Sequence, residues 1–188
     1  MAEPRKAFVD ADIWINLSLV AAIDILFALY PSIYIAREVV TEINRYGGEP
    51  YKQFGRKLRN GLIKVIDLED DFEELTKKLL KRQRDEYEFR IGFIKNRTKN
   101  LGEFASVQYA NELGIDIFMS DDKEAKPILE RDFDIRIRDH CDLLIEAEEI
   151  AGIIKSPKAI EIYNEIEKLK DKPSGCSYSV VKKIRRQL

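Results

Sequence analysis

Short apolar runs alternate along the chain with segments whose apolar residues recur at helical spacing. Runs with strand character lie at residues 7–9, 33–35, 63–68, 115–119 and 135–137. The segments between them predict helices at residues 37–46, 51–59 and 102–113, one broken or two short helices between 14 and 30, and a long helix capped by Asp70 and Asp71 with Phe72, Leu75 and Leu79 on its buried face. Strands separated by helices predict an α/β fold with a central parallel sheet.

The pattern changes after residue 152. Ala159, Ile162, Ile166 and Leu169 predict one further amphipathic helix, which residues 173–175 would end before a basic tail closes the chain. We therefore predict an α/β domain over residues 1–154 and a helical extension over residues 155–188 that packs on it.

The composition narrows the class of protein. The chain has 188 residues, of which 45% are hydrophobic and 35% charged, as in globular domains. Its 32 basic residues against 34 acidic ones argue against a uniformly basic nucleic-acid binder and leave room for local basic patches. Two cysteines outside any CxxC pattern argue against a zinc site. Without a signal peptide or a long apolar stretch, we expect a cytoplasmic protein with no membrane partner.

Acidic residues follow two of the predicted strands. Asp10 and Asp12 come after the first, and Asp121 and Asp122 come after the strand at residues 115–119. Ligands of open parallel sheets bind at the carboxyl ends of the strands, so we expect both pairs to face one cleft. Hard oxygen ligands of this kind suit Mg²⁺ or Mn²⁺.

Two further carboxylates lie on helices that would line the same cleft. Glu42 stands beside the apolar residues of the helix at 37–46, and Glu103 opens the helix at 102–113. Taken singly, each acid has a structural explanation, because Asp caps helices and the helix dipole favours Glu in a first turn. Their combined order favours a chemical role.

Four segments together resemble, in order, the motifs of the PIN-domain family. They are residues 8–16 (FVDADIWIN), 39–42 (VVTE), 101–105 (LGEFA) and 118–123 (FMSDDK). The resemblance covers roughly residues 6–150 and implies a three-layer α/β/α sandwich around a parallel sheet. Members of the family bind Mg²⁺ or Mn²⁺ through three or four acidic residues and hydrolyse phosphodiester bonds, mostly in RNA.

Carried over position by position, the resemblance implies a set of site residues. The implied catalytic residues are Asp10, Glu42, Glu103 and Asp122. The implied metal ligands are Asp10, Glu103 and Asp122, with Asp121 as a further or alternative ligand. Ser120 would be the hydroxyl member of the last motif, and Asp12, a departure from the pattern, either adds a ligand or caps the following helix. The expected substrate contacts are Ser120 and the basic residues just before Glu103, namely Lys95, Arg97 and Lys99.

The function implied by the resemblance is a Mg²⁺- or Mn²⁺-dependent endoribonuclease with RNA as its partner. The resemblance is compatible with a toxin of a toxin–antitoxin pair, which would have an antitoxin or another protein as its partner. It is also compatible with a homodimer. Two alternatives stay open. The Asp10–Ala11–Asp12 spacing also fits a phosphatase of the haloacid-dehalogenase type, which works through an aspartyl-phosphate. The chain also fits a catalytically silent PIN-like module that binds RNA or protein.

Overall fold

A parallel sheet lies at the centre of the protein. The computed structural model describes residues 4–91, 101–123, 126–170 and 173–186. Its five strands are β1 (Lys6–Val9), β2 (Ser32–Ala36), β3 (Ile63–Ile66), β4 (Ile117–Met119) and β5 (Arg136–Arg138). They are arranged in the order β3-β2-β1-β4-β5, and all neighbouring pairs are parallel.

The helices connect these strands and extend beyond them. They are α1 (Ala11–Leu19), α2 (Ile23–Leu29), α3 (Arg37–Tyr46), α4 (Gly48–Arg59), α5 (Leu68–Asp71), α6 (Glu74–Ile91), α7 (Leu101–Glu112), α8 (Lys126–Asp132), α9 (His140–Ile145), a π-helical turn (Glu146–Ile150), α10 (Ser156–Leu169) and α11 (Tyr178–Arg185). The α/β class with a parallel sheet is confirmed, and the arrangement is consistent with a three-layer sandwich. The broken apolar stretch between residues 14 and 30 belongs to two helices, α1 and α2.

The strand order reverses at the middle of the sheet. The chain adds β2 and β3 on one side of β1, and then returns to add β4 and β5 on the other side. Val9 and Met119, the last residues of β1 and β4, are register partners. The residues that follow these two strands therefore emerge side by side at the switch point, where open α/β sheets bind their ligands.

The two central strands are buried on both faces. Every side chain of β4 is buried, and Ala7, Phe8 and Val9 of β1 are fully inaccessible, as expected for strands covered by helices on both sides. The fully buried Trp14 on α1 donates from Nε1 to the carbonyl of Pro50 at 3.0 Å, which fixes α4 against α1.

The predicted start of the long helix is wrong. Asp70 and Asp71 lie inside the short helix α5 and do not cap α6. The cap of α5 is Asp67, whose carboxylate accepts the Glu69 amide at 2.9 Å. Phe72 then adopts an extended conformation, with φ −125° and ψ 150°, which separates α5 from α6. A local hydrogen bond of an earlier aspartate thus determines where the first helix begins.

The predicted buried face of α6 is also wrong in part. Leu75 and Leu79 are 71% and 53% exposed, whereas Leu80 is buried. One turn after Leu80, Arg84 turns inward and donates to Glu38 on α3 at 3.2 Å. Leu80 and Arg84 share one face of the helix, so the ion pair between Arg84 and Glu38 orients α6 with Leu75 and Leu79 toward solvent.

The C-terminal extension packs on the sheet domain. Ala159, Ile162 and Ile166 of α10 are buried, as the spacing predicts, whereas Leu169 at the end of the helix is 46% exposed; α10 packs against α1 and α9. The expected basic tail is instead the helix α11, where Lys182 and Arg185 form ion pairs with acidic residues of α9 and the π-helical turn. These ion pairs stabilise a helix where the sequence predicted only a basic tail. Among the residues that the structure describes, no helix has both the length and the apolar character needed to cross a bilayer.

Candidate metal centre

The candidate site begins where β1 and β4 end. The Asp10 amide donates to the Met119 carbonyl at 2.9 Å, and the Ser120 amide donates to the Arg138 carbonyl at 3.0 Å. Strand pairing therefore continues one residue beyond each strand and fixes both residues, which are 3% and 4% exposed. The Ser120 hydroxyl donates to Asp10 Oδ2 at 3.4 Å, so the two strand ends are joined through their side chains as well.

Asp10 occupies the N-cap position of α1 without acting as a cap. Its backbone is extended there, with φ −82° and ψ 165°, yet its side chain makes no capping hydrogen bond. Burial raises the pKa of Asp10 well above its usual range, the carboxylates of Glu103 and Asp12 raise it further, and the Ala11 amide offsets only part of this. A buried carboxylate in this environment requires either a proton or a cation.

Gly102, in the first turn of α7, brings three chain segments together. A methyl group on this residue would lie 3.0 Å from Glu42 Oε1, 3.1 Å from Val39 Cγ2 and 4.0 Å from Asp10 Oδ1. The backbone of α7 thus touches α3 beside the end of β1, and only a residue without a side chain leaves Glu42 in place. The carboxylates of Glu42 and Asp10 both lie next to this point, and Glu103 follows it directly.

The remaining acids surround the same point. Burial raises the pKa of Glu103 to about 7, and the carboxylates of Glu42, Asp122 and Asp12 contribute to this shift while the backbone amide of Glu103 opposes it. Burial also raises the pKa of Glu42, again with a contribution from Asp12. We call Asp10, Asp12, Glu42, Glu103 and Asp122 the acidic cluster. Its members come from four parts of the sequence and repel one another.

Asp12 belongs to this cluster, although the sequence left its role open. Burial raises its pKa, the carboxylates of Asp121 and Asp122 raise it further, and the ammonium of Lys170 lowers it. Arg45, one turn after Glu42 on α3, has the corresponding lowering effect on the pKa of Glu42. Each of these two acids is thus influenced by one basic side chain.

Asp121 has a different environment from Asp122. Its Oδ1 accepts the ring Nδ1–H of His140 at 2.7 Å and the His140 amide at 3.2 Å. Its Oδ2 lies 3.3 Å from the Lys170 ammonium and accepts a hydrogen bond from the side-chain amide of Asn16 at 3.4 Å. Burial alone would raise the pKa of Asp121, but His140 and Lys170 hold it far below the ordinary value.

The acidic cluster fits a hard divalent cation. Its donors are all carboxylate oxygens, which Mg²⁺ and Mn²⁺ prefer. Among the residues that the structure describes, one set of His, Cys, Asp or Glu side chains brings three ligand atoms within 4.8 Å of one another. That set lies outside the acidic cluster. No three carboxylates of the acidic cluster therefore place an oxygen each within 4.8 Å of one another.

The tighter set comprises Asp139, His140 and Cys141, and its groups are already engaged. Asp139 caps α9 by accepting the amides of Cys141 and Asp142. His140 donates its Nδ1–H to Asp121. Burial raises the pKa of the Cys141 thiol, which favours the protonated form that binds metals poorly. These contacts give the set a structural role at the start of α9.

The predicted substrate contacts have different positions. Ser120 lies in the site, hydrogen-bonded to Asp10 and accepting the Asp122 amide at 3.2 Å. Lys95, Arg97 and Lys99 lie outside the described residues. The structure adds Gly102 and Lys170 to the neighbourhood of the site. Gly102 stood within a quoted motif, but its close approach to Glu42 is a tertiary contact, and nothing in the sequence links Lys170 to Asp121.

Comparison of the chain with models of known protein families found no match, and a search of curated proteins found no sequence of significant similarity. The resemblance to the PIN-domain family therefore stays a prediction from the motifs. The chemistry of the site has to be argued from its own residues.

Proposed function

We propose that the protein is a metal-dependent endoribonuclease whose acidic cluster binds Mg²⁺ or Mn²⁺. The observation that carries the proposal is the buried Asp10 carboxylate, which lies at the switch point of the sheet, makes no capping hydrogen bond and is surrounded by other acids. A purely structural aspartate would gain from a cap or a basic partner, whereas this arrangement gains most from a cation.

Asp10, Glu103 and Asp122 are the proposed ligands, and Glu42 and Asp12 complete the negative surroundings. A bound cation of this type lowers the pKa of a coordinated water and stabilises negative charge on a phosphate. The Ser120 hydroxyl donates to Asp10 and so fixes the orientation of that carboxylate. At neutral pH the proton that Glu103 partly retains offsets some of the repulsion within the cation-free cluster.

RNA is the substrate favoured by the motif resemblance. The protein is nearly neutral overall, with a formal charge of −2, so phosphate contacts have to come from local basic residues. Arg45 is exposed and acts electrostatically on Glu42, and Lys123 is exposed directly after Asp122. These side chains border the cluster and are suited to contact the phosphates that flank a bound scissile bond. A role as a toxin, with an antitoxin partner, rests on the resemblance alone.

The test is cleavage of a mixed single-stranded RNA in Mn²⁺, in Mg²⁺ and in EDTA, together with Mn²⁺ binding measured by electron paramagnetic resonance. We expect cleavage by the wild type only with metal. Asp10→Asn should reduce the rate at least about 100-fold and weaken Mn²⁺ binding at least about tenfold, because a central ligand loses its charge. Asp134→Asn, an exposed aspartate outside the site, is the matched control. Cleavage that persists in EDTA or in Asp10→Asn would contradict the proposal.

The phosphatase alternative is favoured by one feature, the presence of both Asp10 and Asp12 in the site. In that mechanism a phosphate would have to approach the aspartyl nucleophile past Glu42 and Glu103, and the negative charges of these two residues would repel the phosphate. Hydrolysis of an aryl phosphate without RNA cleavage, abolished by Asp10→Asn, would favour this alternative. RNA binding that is unchanged in Asp10→Asn, without any hydrolysis, would favour the binding module.

A further inference from the structure

We propose that Lys170, in the C-terminal extension, is a positioning residue for the candidate site: together with His140 and Glu167 it holds Asp121 and thereby fixes the loop that presents Asp122 to the acidic cluster. The significance of this role for catalysis rests on the proposed function. The geometric claim, that Lys170 fixes the loop, can be tested without any enzymatic activity.

Lys170 lies directly after α10, and its ammonium is nearly enclosed. It is 3.3 Å from Asp121 Oδ2 and 3.2 Å from Glu167 Oε1. The side chains of Lys170, Asp121 and Glu167 are only 19%, 7% and 12% exposed. Ion pairs shielded to this degree hold their geometry more firmly than surface pairs, and loss of one partner leaves a buried charge uncompensated.

His140 joins the same network from α9. Because a carboxylate only accepts hydrogen bonds, the 2.7 Å contact assigns the ring proton to Nδ1, which donates to Asp121. The His140 amide, which has no partner within its own helix, donates to the same oxygen. The ring stacks on Tyr163 of α10 with centroids 5.7 Å apart and an interplanar angle of 20°. Helices α9 and α10 thus hold Asp121 jointly.

The other side of the loop faces the acidic cluster. The Asp122 amide donates to the Ser120 hydroxyl at 3.2 Å, and that hydroxyl donates to Asp10. The loop is therefore fixed from two sides, by Asp10 through Ser120 and by Lys170 through Asp121. If Lys170 were removed, Asp121 would lose its ammonium partner and would keep the contacts from His140 and from the side chain of Asn16, so the loop that carries Asp122 would be held less firmly.

A direct substrate role fits Lys170 less well than positioning. An ammonium has three donors, and two carboxylates already lie within ion-pair distance of this one. Binding a phosphate would require breaking at least one of these shielded pairs. The residue is therefore suited to act through Asp121.

The first test follows the exchange of individual backbone amides by NMR in the full chain without metal. The backbone amide of Asp122 donates to the Ser120 hydroxyl, and the backbone amide of His140 donates to the Asp121 carboxylate, so both amides report on the loop. We expect Lys170→Met to accelerate their exchange at least about fivefold relative to amides of β1, and Lys170→Arg to restore most of the protection. Lys168→Met, an exposed lysine in the last turn of the same helix, is the matched control and should behave like the wild type.

The second test measures kcat and KM for RNA cleavage and the Mn²⁺ affinity of the same variants. We expect Lys170→Met to lower kcat about tenfold or more, with KM for RNA changed by less than about twofold, and to weaken Mn²⁺ binding because the loop presents Asp122, one of the proposed ligands. Lys170→Arg should recover most of kcat.

Unchanged exchange of the two reporter amides in Lys170→Met would overturn the inference, whether or not the protein cleaves RNA. A loss of protection spread over the whole sheet would also overturn it, because it would indicate a general effect on stability. If the exchange result is as expected but the wild type neither binds Mn²⁺ nor cleaves RNA, the proposed function fails and the geometric role of Lys170 stands.

Discussion

Neutralising Glu103 is expected to stabilise the metal-free protein while weakening its binding of metal. Burial, with the neighbouring carboxylates, raises the pKa of Glu103 to about 7 from an ordinary 4.5. Each pH unit corresponds to about 1.4 kcal/mol, so ionising this carboxyl in the folded protein costs about 3 kcal/mol. Because the neighbouring acids share part of that cost, we expect Glu103→Gln to raise the free energy of unfolding by about 1–3 kcal/mol above neutral pH.

The pH dependence follows from the direction of the shift. A pKa raised in the folded state means that the folded protein holds the proton to higher pH than the unfolded chain. The stability that this proton confers is fully present below about pH 4.5, the unfolded pKa, and is lost as the pH rises through about 7. The difference between Glu103→Gln and the wild type should therefore be near zero at low pH and largest above neutrality.

The assay is urea unfolding in EDTA at about pH 5 and about pH 8. The control is Glu112→Gln, an exposed glutamate at the other end of α7, which should show no comparable pH-dependent gain. Saturating Mn²⁺ should then reduce the advantage of the variant, because a ligand at 100 times its dissociation constant stabilises the wild type by about 2.7 kcal/mol, and the variant binds it less well. Equal destabilisation of Glu103→Gln at both pH values would refute the reasoning.

Two further substitutions test the packing around the site and the charge network beneath the sheet. Gly102→Ala should displace Glu42, because Glu42 Oε1 would lie 3.0 Å from the new methyl group, and we expect this to cost about 1 kcal/mol of stability and most of any activity. The control is Gly55→Ala in α4, where the nearest atom would be 3.5 Å from the methyl group; this substitution should be neutral or stabilising. Glu146→Gln removes the buried charge that pairs with two arginines and accepts a tyrosine hydroxyl, and should cost roughly 3 kcal/mol in thermal unfolding. The more accessible Glu149→Gln should cost less than about 1 kcal/mol, and equal losses would contradict the role of burial.

The sheet could be predicted from sequence because its signals are local. Each strand overlaps one of the runs of strand character in the sequence, and the run at residues 7–9 lies within β1. The helices were less predictable where tertiary contacts override local preference. Asp70 and Asp71 are reasonable caps by composition, but Asp67 makes the capping bond first. The orientation of α6 depends on Arg84 reaching Glu38, a contact between residues that no local pattern relates.

The candidate site was likewise predictable where its features are local in sequence and unpredictable where they depend on tertiary contacts. The positions of Asp10 and Asp122 after two strands are local features, and their meeting at one edge follows from the general behaviour of parallel sheets. The inclusion of Asp12, the close approach of Gly102 to Glu42 and the arrival of Lys170 from the extension depend on how helices pack. Such contacts join residues far apart in sequence and leave no spacing by which one chain would reveal them.

The adjacent aspartates show why packing information changes the chemical interpretation. In the sequence Asp121 and Asp122 follow the same strand, and the motif resemblance favours Asp122 while leaving Asp121 as a further or alternative ligand. In the structure Asp121 pairs with Lys170 and His140, so its charge is already compensated, whereas Asp122 adds to the repulsion that raises the pKa of Glu103. Coordination of a cation by Asp121 would require breaking ion pairs that are largely shielded from solvent, which is the physical reason for proposing Asp122 as the ligand and Asp121 as the anchor of its loop.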